Sequence, residues 1–315
     1  MNIKTPLVEA AIERNPITVE PQTLLLDAIA LMNQCRISIN SDNASEGQNS
    51  CSCVLVLQDG EVLGIFTERD IVRLTSEDRN LSQVKVTEVM AQPAITLNES
   101  TLEDIFAVLF LFRRYQIRHL PILNDSGKLA GIVSPESIRK VLRPDNFLRM
   151  RRVADVMTTD VFTLPGTASV IEIAQLMAEH RISCVVITQD DVKDWDSNLA
   201  NPVGIITERD IVQFQGLQIN LAEVRAQMVM SSPLFLLSPE DSLLDAHKQM
   251  QQRHVRRLVV SWDWGQGLGL LTLTNLLKIF DPIEMYRVIQ ALQQTIEQLE
   301  FEKTQLLERL AAKNQ

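Results

Sequence analysis

Gly64-Ile65-Phe66-Thr67-Glu68-Arg69-Asp70 is a stretch that the chain uses twice, returning as Gly204-Ile205-Ile206-Thr207-Glu208-Arg209-Asp210 after 140 positions (204 − 64). Each copy follows a short apolar run, Val54 to Leu57 or Val185 to Ile187, and precedes an apolar helical segment. The order reads as strand, tight junction and helix start. Thr67 and Thr207 stand at the N-cap, with Asp70 and Asp210 three residues on, a pair that satisfies orphan N–H groups of a first helical turn. Two further copies, Gly131-Ile132-Val133-Ser134-Pro135-Glu136-Ser137 and Gly269-Leu270-Leu271-Thr272-Leu273-Thr274-Asn275, keep the glycine and the hydroxyl but not the acid. The hydroxyl is therefore expected to be the structural part, and a carboxylate kept in copies one and three only to have a further role.

A helix start with a free hydroxyl suits a phosphate, because its N–H groups and dipole favour an anion. A carboxylate one turn on would repel that phosphate but can accept hydrogen bonds from a sugar diol, as the ribose-binding acid of dinucleotide folds does. Hydroxyl for phosphate and acid for ribose together describe a nucleotide.

With four such units in register, the chain resembles the CBS domains, named after cystathionine beta-synthase, whose ribose-phosphate motif is G-h-h-[ST]-x-x-D with h apolar. The likeness spans roughly residues 5 to 281. It implies an α/β (α+β type) fold of four β-α-β-β-α units at 5–80, 84–146, 150–218 and 222–281, joined as two pseudo-twofold pairs. It also implies that adenosine-containing ligands bind in the clefts of the pairs. Copies two and four depart from the motif at Ser137 and Asn275, and contribute Ser134 and Thr272 as candidate contacts.

The elements fit this plan. Ile17-Thr18-Val19 reads as a first strand and Leu24 to Asn33 as an amphipathic helix, after which Arg36-Ile37-Ser38 should lead into strand two past a polar loop, Asn40 to Ser50. Asp59-Gly60 between two β-rich runs is a hairpin signal. The helix from Leu102 to Arg113 is apolar enough to be buried on most of its surface, in the core or at a subunit contact. Pro135 after Ser134 suits a first helical position. Arg36, Arg118, Arg181 and Arg256 are read at one position of the repeat, with His119 and Arg257 following in units two and four. In the CBS family this region, including a basic pair in the gamma subunit of AMP-activated protein kinase, contacts ligand phosphates. The resemblance carries that role to Arg118, His119, Arg256 and Arg257, and arginine suits it because its fork holds phosphate bidentately.

Composition limits the function classes. The chain has 315 residues, 45% apolar, and a formal net charge of −10. That is long enough for two to four domains, and too acidic to favour nucleic acid or an anionic membrane surface. No apolar run reaches the roughly 18 residues of a membrane span, and no N-terminal stretch reads as a secretion signal. Four cysteines (Cys35, Cys51, Cys53, Cys184) form no dense framework, so reduced thiols and a cytoplasmic location are expected. Cys35 with Cys51-x-Cys53 fits no zinc spacing, and the acids Asp190 to Asp196 lack the EF-hand pattern. The four histidines have no nucleophile motif beside them, and no phosphate-binding P-loop is present, so no enzyme activity is expected.

Beyond Asp281-Pro282, Met285, Ile289, Leu292, Ile296, Leu299, Leu306 and Leu310 form a heptad seam, interrupted at Lys303. It predicts a coiled-coil signalling helix over 283–315, or a single helix packed back on the domain. The expected protein is a cytoplasmic homodimer, associating through CBS faces and the coiled coil. It would sense AMP, ADP or ATP without a cofactor, save magnesium accompanying ATP, through Thr67/Asp70 and Thr207/Asp210. The N-terminal sensor part of a histidine kinase or cyclase, and a dimerising scaffold with vestigial sites, are the other readings.

Overall fold

The structure is a computed structural model that describes residues 9–39, 51–102, 105–142, 148–149, 151–189, 201–263 and 267–278. The loop 40–50, the acidic segment 190–200 and the heptad segment 283–315 lie outside the described residues.

Four three-stranded sheets repeat one plan. Unit 1 runs β1 (Thr18–Val19), α1 (Leu25–Ile39), β2 (Cys53–Gln58), β3 (Glu61–Thr67) and α2 (Glu68–Ser76). Unit 2 follows with β4 (Leu97–Asn98), α3 (Ile105–Tyr115), β5 (Leu120–Leu123), β6 (Leu129–Val133) and α4 (Pro135–Leu142). Unit 3 has β7 (Thr163–Pro165), α5 (Val170–His180), β8 (Cys184–Thr188), β9 (Pro202–Thr207) and α6 (Glu208–Gly216). Unit 4 adds α7 (Ala226–Val229), β10 (Leu236–Leu237), α8 (Leu243–Gln252), β11 (Arg257–Trp262), β12 (Gly267–Thr272) and α9 (Leu273–Leu277). In every unit the first strand lies parallel to the second, and the second antiparallel to the third. A parallel neighbour cannot be reached by a hairpin, so α1, α3, α5 and α8 make the crossovers. Asp59 (φ 53°) and Gly60 (φ 86°) form the two-residue turn between β2 and β3, as the Asp-Gly pair predicts.

The central strands are buried on both faces, and the two faces meet different partners. Val54 and Val56 pack on the helices of unit 1, whereas Cys53 and Leu55 face Ile132 of unit 2. Val185 and Ile187 likewise pack on unit 3, whereas Cys184 and Val186 face Val259 of unit 4. Consecutive units are thereby joined sheet to sheet. The backbone makes the exchange reciprocal: Glu13, ahead of β1, bridges Ile132, and Ala91, ahead of β4, bridges Ile65. Thr158 with Leu270 and Ser231 with Ile205 repeat it in the second pair. The glycine that opens the motif has its reason here. A Cβ on Gly64 would lie 2.8 Å from the Ala91 carbonyl oxygen, and one on Gly131 2.6 Å from that of Glu13.

The two pairs meet through their helices, unit 1 on unit 3 and unit 2 on unit 4. Val212 of α6 sits in the core of unit 1, Val72 of α2 in that of unit 3, and Gln215 Nε2 donates to Thr75 Oγ1 at 2.9 Å. Units 2 and 4 share one continuous core in which Ile138 and Leu120 join Leu244 and Leu276.

Two expectations need correction, and one is met in part within the chain. Helix α1 continues to Ile39 instead of stopping at Asn33, so Arg36 is helical and does not lead into strand two. Helix α3 buries a stripe through Ile105, Val108 and Phe112 but leaves Phe110 64% and Tyr115 51% exposed. Its uniform apolarity marks no single face, and only the packing selects one. Cys35 and Cys51 form a disulfide, where reduced thiols were expected. The longer α1 carries Cys35 to the start of β2, with the two Cα atoms 5.7 Å apart, within the span such a bond requires. Sequence spacing alone cannot show that approach. Among the described residues no helix is long and apolar enough to cross a membrane.

Candidate functional site

All four helix starts cap themselves in the same way. Asp70 Oδ2 accepts from Thr67 N at 2.9 Å and from Thr67 Oγ1 at 2.7 Å. Asp210 Oδ2 does the same with Thr207, at 2.7 and 2.8 Å. In unit 4, Asn275 Oδ1 accepts from Thr272 N at 2.9 Å, and in unit 2, Ser137 Oγ accepts from Ser134 N at 3.0 Å. The structural role therefore belongs to the fourth residue as much as to the hydroxyl, contrary to the sequence-based expectation. Capping needs only an acceptor oxygen, which Ser and Asn supply without charge. The carboxylates of units 1 and 3 are surplus to that need.

Access separates the same two pairs of copies. Ser134, Ser137 and Asn275 are buried, at 2%, 2% and 4% exposure. Asn275 also spends its amide on Thr158 Oγ1 at 3.2 Å. The Asp70 side chain keeps 19% exposure, and its Oδ1 has Arg73 at 3.9 Å. Burial raises the Asp70 carboxyl above its ordinary value, against the lowering effect of its bonds to Thr67. Its charge thus works against folding.

A cavity of about 250 Å³ opens where the four units meet. Unit 1 lines it with Ser52, Thr67, Glu68, Arg69 and Asp70. Unit 2 contributes Arg118, His119, Ser134 and Glu136, unit 3 contributes Ser183 and Arg209, and unit 4 contributes Arg256, Arg257 and Thr272. Eight of the sequence-derived candidates thus converge: Thr67, Asp70, Arg118, His119, Ser134, Arg256, Arg257 and Thr272. Thr207 and Asp210 are not among its lining residues, although their neighbour Arg209 is. The side chain of Arg36 lies outside the described residues.

The register of the repeat also moves Arg181. Cys53, Cys184 and Arg257 pair with the capping residues Thr67, Thr207 and Thr272, and the pairing of Leu120 with Val133 sets His119 opposite Ser134. Arg118 and Arg256 thus match Ser52 and Ser183. Arg181 falls two positions earlier, with Gln116 and His254, and all three hold φ of 53°. This left-handed residue after the helix, not the basic side chain, is what those positions share. Arg181 is exposed, and the spacing Arg-Ile-Ser had suggested a register that strand pairing does not keep.

The charges of the cavity are interlocked. Arg118 Nη2 donates to Glu208 Oε2 at 2.7 Å, and Arg69 Nε stands 3.6 Å from Glu208 Oε1. Arg209 Nε lies 4.0 Å from Glu68, and Arg256 pairs with Glu136. Burial opposes the charge of Arg118, but Glu208, with Glu68 behind it, outweighs burial and holds the guanidinium above its ordinary value. His119 is different: burial, then Arg118 and Arg256, push it down to about 3, so it is neutral, with Nε2 2.8 Å from Ser52 Oγ. Arg69 Nε and Arg257 Nε are buried with no hydrogen-bond partner among the described residues. Glu68, Arg69, Glu136, Glu208 and Arg209 were not singled out from sequence, yet the repeated Glu-Arg inside the two complete motifs was the available signal.

Fold and site together define a repeat protein in which two paired modules enclose a basic, carboxylate-bridged cavity. The CBS domain model matches residues 8–77, 86–144, 153–216 and 224–281, and the chain belongs to that family. Its fold is shared with the crystal structure of protein MJ1225 from Methanocaldococcus jannaschii, whose description proposes it as an archaeal homolog of g-AMPK. That likeness has a TM-score of 0.69 at 20% identity, covering 86% of this chain and 98% of that one. An uncharacterized conserved protein from Pyrococcus horikoshii matches with a TM-score of 0.54 at 16% identity, over 86% and 98% of the two chains. Uncharacterized protein MK0525 of Methanopyrus kandleri is 35% identical over 42% of this chain and 64% of its own length. The chain spans less than two thirds of that relative and of two others.

Proposed function

We propose that the protein is a regulatory module that binds an adenosine nucleotide of the AMP, ADP or ATP class. The observation that carries this reading is the convergence of Thr67 and Asp70 with Arg118, Arg256 and Arg257 on one cavity. Asp70 would take the ribose diol through Oδ1, the arginines the phosphates, and neutral His119 a hydrogen bond instead of a charge, while Thr67, whose hydroxyl donates to Asp70, would hold that carboxylate in place. Thr207 and Asp210 would form the matched site of unit 3. The cavity is built by all four units, so a ligand that favours one arrangement of the two pairs would shift how they sit. Self-association through the exposed apolar residues of α3 would let that shift be read by a second copy.

Calorimetry with AMP, ADP and ATP on the full chain and on Asp70→Asn/Asp210→Asn tests the reading. Asn275 shows that an amide makes the cap, so this variant removes the charge and leaves the helix start intact. Loss of nucleotide binding in a folded double variant is expected, and unchanged affinity would remove both residues from the site.

A further inference from the structure

Four ion pairs around the cavity share one property: each joins one module to the other. Arg118 of unit 2 and Arg69 of unit 1 both reach Glu208 of unit 3, Arg209 of unit 3 faces Glu68 of unit 1, and Arg256 of unit 4 holds Glu136 of unit 2. Glu208 is fully buried, although no helix cap requires it, because Asp210 already caps α6. A carboxylate and a phosphate present the same pair of acceptor oxygens to a guanidinium fork. Arg69, Arg118, Arg209 and Arg256 are thus already facing anions, and the chain itself supplies them.

We infer that Glu208 and Glu136 are resident anions occupying the guanidinium forks that a ligand's phosphates would take, Glu136 from the cavity wall and Glu208 from the buried side of Arg118, so that binding exchanges protein carboxylate for ligand phosphate at Arg118 and Arg256. This rests on reading the cavity as a phosphate site, and adds what the site selects and how it signals. A single negative charge that replaces a carboxylate gains nothing over it, whereas a phosphate dianion or a pyrophosphate group does. The site therefore discriminates by phosphate charge and favours ligands carrying a pyrophosphate unit that can satisfy both arginines. Because the displaced carboxylates belong to the opposite module, each exchange also breaks a contact between modules. Ligand charge is converted into a change at the module interface.

Inorganic pyrophosphate is the probe, titrated by calorimetry at fixed ionic strength into the full chain, Glu208→Gln and Glu136→Gln. Each variant removes a competing anion and is expected to bind pyrophosphate about tenfold tighter, the charge-assisted hydrogen bond no longer having to be broken first. Unchanged or weaker binding in the folded variants overturns the inference. Should Glu208→Gln fail to fold, Glu136→Gln decides, since that side chain is 30% exposed and its loss is milder. The probe carries neither ribose nor base. Unchanged nucleotide affinity in the aspartate variant would refute the nucleotide reading alone, and an unresponsive pyrophosphate affinity would refute this inference alone.

Discussion

Arg118→Gln isolates the energy of the contact between modules. The pair it breaks has Nη2 to Oε2 at 2.7 Å, with Glu208 fully buried. At an effective dielectric constant near 20 the attraction is about 6 kcal/mol. Part is returned when the guanidinium no longer needs to be desolvated, and Arg69, 3.6 Å from the other carboxylate oxygen, still faces Glu208 in the variant. The net loss expected is about 3 kcal/mol, at the low end for a buried charge deprived of its partner. In a chain of this size that lowers Tm by roughly 4–5 °C. Scanning calorimetry and urea titration at pH 7 would measure it. The double variant Arg118→Gln/Glu208→Gln should recover about half of the loss, because no orphan charge remains. A loss below about 0.5 kcal/mol, or a double variant less stable than the single, would refute the reasoning.

Asp70→Asn keeps the cap and removes a charge that burial disfavours. The folded-state value of Asp70 is raised above 3.8, so its contribution to stability is present below the ordinary aspartate value and is lost as pH rises through the folded one. The variant should therefore melt higher than the parent at pH 7, and the difference should vanish as pH falls below about 3.9; a lower Tm at pH 7 would contradict the assignment. Gly131→Ala sets a Cβ against the Glu13 carbonyl and should destabilise by about 1–3 kcal/mol in urea titration, by pushing the leading strand of unit 1 off unit 2. Cys35→Ser, which opens a bond across 16 positions, should lose about 3 kcal/mol in oxidising buffer and nothing in reducing buffer.

The repeat was legible because its signals are local. Glycine, hydroxyl, a capping residue and the apolar runs around them define strand, turn and helix start four times over, and backbone chemistry at each depends on near neighbours. Asp59-Gly60 and Pro135 could be placed for the same reason. Helix α1 ran past its expected end because no glycine or proline stops it before Ile39, and a polar composition after Asn33 does not itself break a helix.

Charge pairing and face selection were not legible. Nothing near Glu208 in sequence says that Arg118, 90 positions away, will neutralise it. Which side of the apolar helix α3 is covered depends on what packs against it. Arg181 shows the same limit: its resemblance to Arg118 by type was overruled by a register set through cross-strand pairing. The sequence by itself determined the unit, its cap and its fourfold use, since those rest on contacts within a few residues. Tertiary structure alone decided the paired faces, the disulfide and the shared cavity, because each is made by surfaces that meet only after the units have folded and stacked.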